Sequence, residues 1–228
     1  MAILGVIGLG VILALTLGPQ FWIKQQMSKH GDDRPDMPGS GGELAEHLIE
    51  HYGIEGVGVE QTDKGDHYDP EAKMVRLSAD HYHGRSVAAV AVAAHEVGHA
   101  IQDHRGERGL RLRQALGKFA MVTDRVASIF FVAAPVLAVF ARTPAAFFGL
   151  LAIGVAFLGV RILVSLVSLP TEFDASFGKA LPILKEGGYL SDQDLPAARS
   201  VLRAAAWTYV AAAAMSLVNL ARWVRIIR

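Results

Sequence analysis

From Met1 to Ile23 the chain carries no Asp, Glu, Lys or Arg. At about 1.5 Å per residue, a helix of that length is comparable with a bilayer core of roughly 30 Å. Such runs recur. Val126 to Ala141 and Thr143 to Val160 are also uncharged and apolar, and the second continues past Arg161 through Ile162 to Leu169. Pro144 suits the first turn of a helix, so the two read as a helical hairpin turning at Ala141-Arg142-Thr143-Pro144. The run Ala204 to Ala221 is richer in alanine and is followed by Arg222, Arg225 and Arg228. It either spans or lies along the interface as an amphipathic helix. With 52% hydrophobic residues but only 8% aromatic ones, the expected fold class is mainly α, a multi-pass membrane protein.

No Lys or Arg precedes the first run and no A-x-A-like site follows it, whereas Phe21-Trp22 and Lys24 form an interfacial anchor. Residues 1–23 are therefore expected to be an uncleaved transmembrane anchor. Basic residues next to the spans set orientation. Lys24, Lys29 and Arg34 follow the first span, Arg105, Arg108, Arg111, Arg113 and Lys118 precede the hairpin, and Arg142 alone sits in its turn. That bias places residues 24–118 on the cytoplasmic side. A spanning fourth run would put the C-terminal arginines outside, against the same rule. Asp124, Arg125 and Arg161 enter the hairpin helices, where charges snorkel or pair near a membrane face.

The 22 basic and 22 acidic residues cancel and are mixed along the chain, so no basic face for nucleic acid can be drawn. There are no cysteines. That excludes disulfides, thiolate catalysis and Cys-type zinc sites, leaving His and carboxylates as metal ligands.

Between the spans, residues 31–42 (GDDRPDMPGSGG) form a linker and Glu43 to Tyr52 a short helix closed by Gly53. Val57 to Gln61 and Lys73 to Ser78 alternate apolar and polar residues, the pattern of a small β-hairpin. Ser86 is placed to cap a helix from Val87 to about His104, which Gly106 then ends. The resulting organisation is a catalytic segment over 24–118, a transmembrane hairpin over 119–169, a second catalytic segment over 170–203 and a C-terminal helix over 204–228.

The chemistry lies in AVAAHEVGHAIQDH, residues 91–104. His95 and His99 stand four apart, which stacks their rings on one helix face so that both can reach one ion. Glu96, one residue round, is placed to act on a zinc-bound water. Catalytic zinc takes three protein ligands and one open position. The longer metzincin motif needs Gly at 102 and His at 105, where this chain has Gln102 and Arg105. His104 therefore does not complete the set. Glu172, in LPTEFDASFGKAL, is the better third ligand, because two crossings return the chain to the same face. Its helix is expected to start after Pro170, and Asp174 is the rival, since only one of the two carboxylates can face the ion. His67, Tyr68, His81, Tyr82 and His83 are candidates for a donor to the oxyanion, and Lys73 to Ser78 for the strand that holds an extended substrate.

HEVGH, the hairpin after it, EFDAS and the upstream DHYDPEAKMVRLS together resemble the YugP family of bacterial neutral zinc metallopeptidases, and more distantly the HtpX type of membrane gluzincin. The resemblance covers most of the chain. It implies Zn2+ as cofactor, held by His95, His99 and Glu172, with Glu96 as base. It further implies a zincin-like metal site in the bacterial cytoplasmic membrane, facing the cytoplasm. The expected function is a membrane-embedded zinc endopeptidase acting on peptide or membrane-protein substrates, with the lipid bilayer as partner and a homo- or hetero-oligomer compatible with it. A non-hydrolytic membrane scaffold that keeps a zinc site is the alternative. One departure stands out: where the distant motif has Asp four residues after the glutamate, this chain has Ser176. An acid that orients a ligand histidine would then have to come from Asp174 or Asp124.

Overall fold

The computed structural model describes residues 17–18, 20–140 and 143–227. Most of the expected first span, the Ala141-Arg142 turn and the Arg161 side chain lie outside the described residues. The fold is mainly helical with one small sheet. It divides into two compact units, one of Phe21–Arg111 with Pro170–Thr208, the other built on Leu112–Leu169 and Tyr209–Arg228.

In the first unit, helix α1 is described over residues 20–29. α2 (Gly41–His51) starts with two glycines, poor helix formers, and is held by a capping box in which Ser40 and Glu43 bond each other's backbone N–H. The glycines are there for packing. A Cβ on Gly41 would stand 2.3 Å from the His81 carbonyl oxygen and 2.7 Å from that of Ala89. Leu44, Ala45 and Leu48 then form the buried face of α2.

The expected β-hairpin is instead a three-stranded mixed sheet of β1 (Gly58–Gln61), β2 (His67–Asp69) and β3 (Met74–Leu77), in the order β1-β3-β2. β2 turns back on β3 through Asp69-Pro70, whose carboxylate accepts from the backbone N–H of Glu71 and Ala72. Two reversals separate β1 from β3, so they run the same way and pair in parallel. β3 is thus the central strand. Both of its edges are occupied, and it has none left for a substrate strand. Arg76 ties the sheet together by reaching Glu60 on β1 and Asp69 on β2, each at 2.5 Å. Asp66 closes the loop before β2, accepting from Ser78 N (2.7 Å), Ser78 Oγ (3.0 Å) and His81 Nδ1 (2.8 Å). Burial alone would raise the Asp66 carboxyl, but the bonds from His81 and Ser78 outweigh it and hold it below the usual range.

After the short α3 (Ala79–Tyr82) comes α4 (Val87–His104), capped by Ser86 as its sequence requires. Every residue from Val87 to Gln102 is buried, the condition of a helix apolar nearly all round. Tyr68 and Lys73 fasten the sheet to its C-terminal end through Asp103, at 2.7 and 2.6 Å.

α5 (Arg108–Phe140) and α6 (Pro144–Phe173) flank the turn, with Pro144 opening α6 as expected. Pro170 does not break the chain. α6 passes through it into a π-helix, Asp174–Ala180, and then α7 (Leu181–Glu186). A proline inside a helix loses one ladder bond. Here the packing of Thr171, Glu172, Ala175 and Ser176, all buried, overrides the local break. α8 (Leu195–Ile227) begins well before the expected run. Its first turns are bound to α1 by a Ser200 to Gln26 hydrogen bond of 2.6 Å and by an edge-on Trp22–Trp207 pair with centroids 6.3 Å apart.

In the second unit, Phe130 of α5 and Phe157 of α6 meet with ring centroids 5.6 Å apart. Ile129 is 74% exposed, Val132 81% and Val139 78%, an aliphatic surface far beyond the scattered exposure normal in water. Among the described residues, one helical run is long and apolar enough to cross a membrane, Pro144–Glu186, which contains an 18-residue window of mean hydropathy 2.5. Length and composition of the described residues therefore support one span and not the expected multi-pass fold.

Candidate metal centre

His95 and His99 leave α4 on one face, as their spacing requires, with ring centroids 4.8 Å apart. α6 carries Glu172 to that face. Its Oε2 lies 3.4 Å from His95 Nε2 and 3.4 Å from His99 Nε2. The three side chains are at most 6% exposed. Two donors bound at about 2.0–2.1 Å to one tetrahedral ion stand roughly 3.3–3.4 Å apart, so both edges match zinc geometry. The donor set fits the ion.

Gly98 lets the two elements come this close. A Cβ there would stand 2.9 Å from the Ala175 carbonyl oxygen in the π-helix. Glycine costs about 1 kcal/mol in a helix, and the motif carries it because the backbone of the π-helix occupies the place of a side chain. Glu96, the proposed base, follows His95 on α4 and is buried, at 7% exposure.

Both histidines are held from behind by neutral groups. His95 Nδ1 meets Ser176 Oγ at 3.0 Å, and that hydroxyl donates to the Leu202 carbonyl at 3.3 Å. His99 Nδ1 meets Gln102 Oε1 at 2.9 Å. Ser176, which looked like the loss of an acid, fills the supporting place itself. Asp174 is turned away from the histidines toward Gln102 and Lys179, and Asp124 belongs to the other unit. His104 is exposed at the end of α4.

Sequence reasoning missed Gln102. The available signal was its place three residues after His99, on the same face of a helix too buried for an idle amide. Four of the oxyanion candidates have local partners: His67 bonds the Gly65 carbonyl, Tyr68 bonds Asp103, His81 bonds Asp66 and His83 bonds Gln61. Tyr82 packs over Gly42. Burial and the neighbouring Asp103 push the Tyr68 hydroxyl well above its ordinary value, which keeps it a donor.

A buried His₂Glu set carried on two packed helices is the donor arrangement of hydrolytic zinc sites. The chain belongs to the family described as "Putative neutral zinc metallopeptidase", whose profile matches residues 5–228. It is 34% identical over 217 residues to the "Putative membrane protease YugP" of Bacillus subtilis (strain 168), covering 94% of this chain and 92% of that protein. No solved structure matches the chain significantly.

Proposed function

We propose that this protein is a membrane-embedded zinc endopeptidase of the gluzincin type, with His95, His99 and Glu172 as ligands and Glu96 as general base. The observation that carries the reading is the pair of 3.4 Å edges from Glu172 to the two histidines, together with a buried Glu96. Zinc, when bound, polarises the scissile carbonyl and acidifies water. Glu96 takes the proton from the attacking water and delivers it to the leaving amine. Ser176 and Gln102 hold the ligand rings.

Embedding in the membrane is supported by the aliphatic surface of α5, the apolar run of α6 and the relative named a membrane protease. The basic residues on either side of residues 24–118 favour a cytoplasmic active site in a multi-pass chain, acting on peptides or membrane proteins.

Metal analysis and casein cleavage by the detergent-purified protein test the reading. Wild type is expected to carry one zinc per chain and to show chelator-sensitive cleavage. Glu96→Gln keeps the zinc and lowers cleavage at least about 10²-fold. Undiminished cleavage by that variant overturns the mechanism, and zinc without cleavage in wild type favours the non-hydrolytic scaffold.

A further inference from the structure

Behind His99 lies a chain of side chains whose donors and acceptors can be assigned without ambiguity. Gln102, 1% exposed, directs Nε2 to the Thr171 carbonyl at 3.0 Å and to Asp174 Oδ2 at 2.8 Å. Both partners are acceptors, so the amide nitrogen must be on that side and Oε1 must face His99. An amide oxygen only accepts. His99 therefore donates from Nδ1, and its Nε2 lone pair is left facing Glu172.

The orientation of the amide depends on Asp174 staying in place. Asp174 is engaged by Lys179, whose ammonium also meets Glu107 Oε1 at 3.1 Å and Oε2 at 3.3 Å. Lys179 is 8% exposed, and an ammonium at that depth requires carboxylate partners. The Glu107 backbone N–H in turn bonds the Gln102 carbonyl at 2.9 Å, so the arrangement closes on the residue it orients.

We infer that Lys179 is a positioning residue for the metal ligand His99, acting through Asp174 and the side-chain amide of Gln102. Lys179 touches neither the histidine nor the space for the ion. Its effect is to keep one tautomer and one ring orientation. His95 is fixed independently, because the single Ser176 proton goes to the Leu202 carbonyl and the hydroxyl oxygen is left to accept from His95 Nδ1.

The inference rests on the ligand set proposed above, and the tests separate the two. In metal-free wild type labelled with ¹⁵N-histidine in detergent micelles, long-range proton–nitrogen correlation is expected to show His99 protonated on Nδ1. A proton on Nε2 overturns the inference without any variant. Zinc competition with a chromophoric chelator should give Lys179→Met a zinc affinity about 10–100-fold weaker, the usual effect of losing an outer-shell partner. Lys179→Arg should restore it. Wild-type affinity in Lys179→Met overturns the inference, and so does wild-type affinity in Gln102→Leu. If Glu172→Ala loses zinc while Lys179→Met keeps it, the clamp alone fails; if Glu172→Ala binds zinc as wild type does, the ligand assignment fails first.

Discussion

Gly98→Ala adds one methyl group where α4 meets the π-helix. The new Cβ would stand 2.9 Å from the Ala175 carbonyl oxygen and 3.4 Å from Ala175 Cα. Reaching ordinary contact requires the two backbones to part by about 0.5 Å, and overpacking of this kind costs about 1–3 kcal/mol. Alanine returns about 1 kcal/mol of helix propensity. The net loss of stability is therefore small, about 0–2 kcal/mol. The metal centre is less forgiving. Glu172 lies three residues before Ala175 on the same helical run, and a metal site tolerates ligand errors of only about 0.2 Å. A separation of half an ångström should weaken zinc binding by tenfold or more, roughly 1.4 kcal/mol or above. Thermal unfolding of the metal-free protein and chelator competition for zinc measure the two effects separately. A variant that binds zinc with wild-type affinity would refute the claim that Gly98 sets the spacing of the ligands.

Ser176→Ala removes the acceptor behind His95 and should weaken zinc binding about 10–100-fold with the ligands intact; an unchanged competition curve contradicts that role. Ser40→Ala breaks the capping box of α2 and should cost about 1 kcal/mol, read as a lowered unfolding temperature with zinc affinity unaltered. The Asp66 carboxyl is held below its ordinary value in the folded chain. It therefore contributes stability that is complete above about pH 4 and is lost as pH falls through the lower folded value. Asp66→Asn should flatten the acid limb of a stability–pH profile, and an acid limb as steep as that of wild type counts against the assignment.

The sequence made α4 legible because several local signals agree there: Ser86 as cap, a run of small apolar residues, two histidines four apart, and Gly106 after the end. Glu172 was legible for a different reason, the return of the chain after the hairpin. The pairing sense of the strands was not. His67-Tyr68-Asp69 lacks the length and alternation of a strand, and without β2 the reversal count between β1 and β3 comes out wrong. The π-helix was also hidden, since Pro170 reads as a stop and only burial against α4 shows why the chain continues. The supporting roles of Ser176 and Gln102 were not legible because acids are the usual outer-shell partners, whereas a hydroxyl and an amide hold the rings as well when their own protons are committed elsewhere.

The order of the donors along the chain has a consequence in time. The unit that holds the centre is made of Phe21–Arg111 and Pro170–Thr208, with Leu112–Leu169 between them. During synthesis the two histidines emerge first, and the glutamate follows only after the whole apolar hairpin has been made. A nascent chain cannot assemble the His₂Glu set until that hairpin has left the ribosome. A metal centre built in this order stays incomplete while the apolar hairpin between its halves is still being delivered.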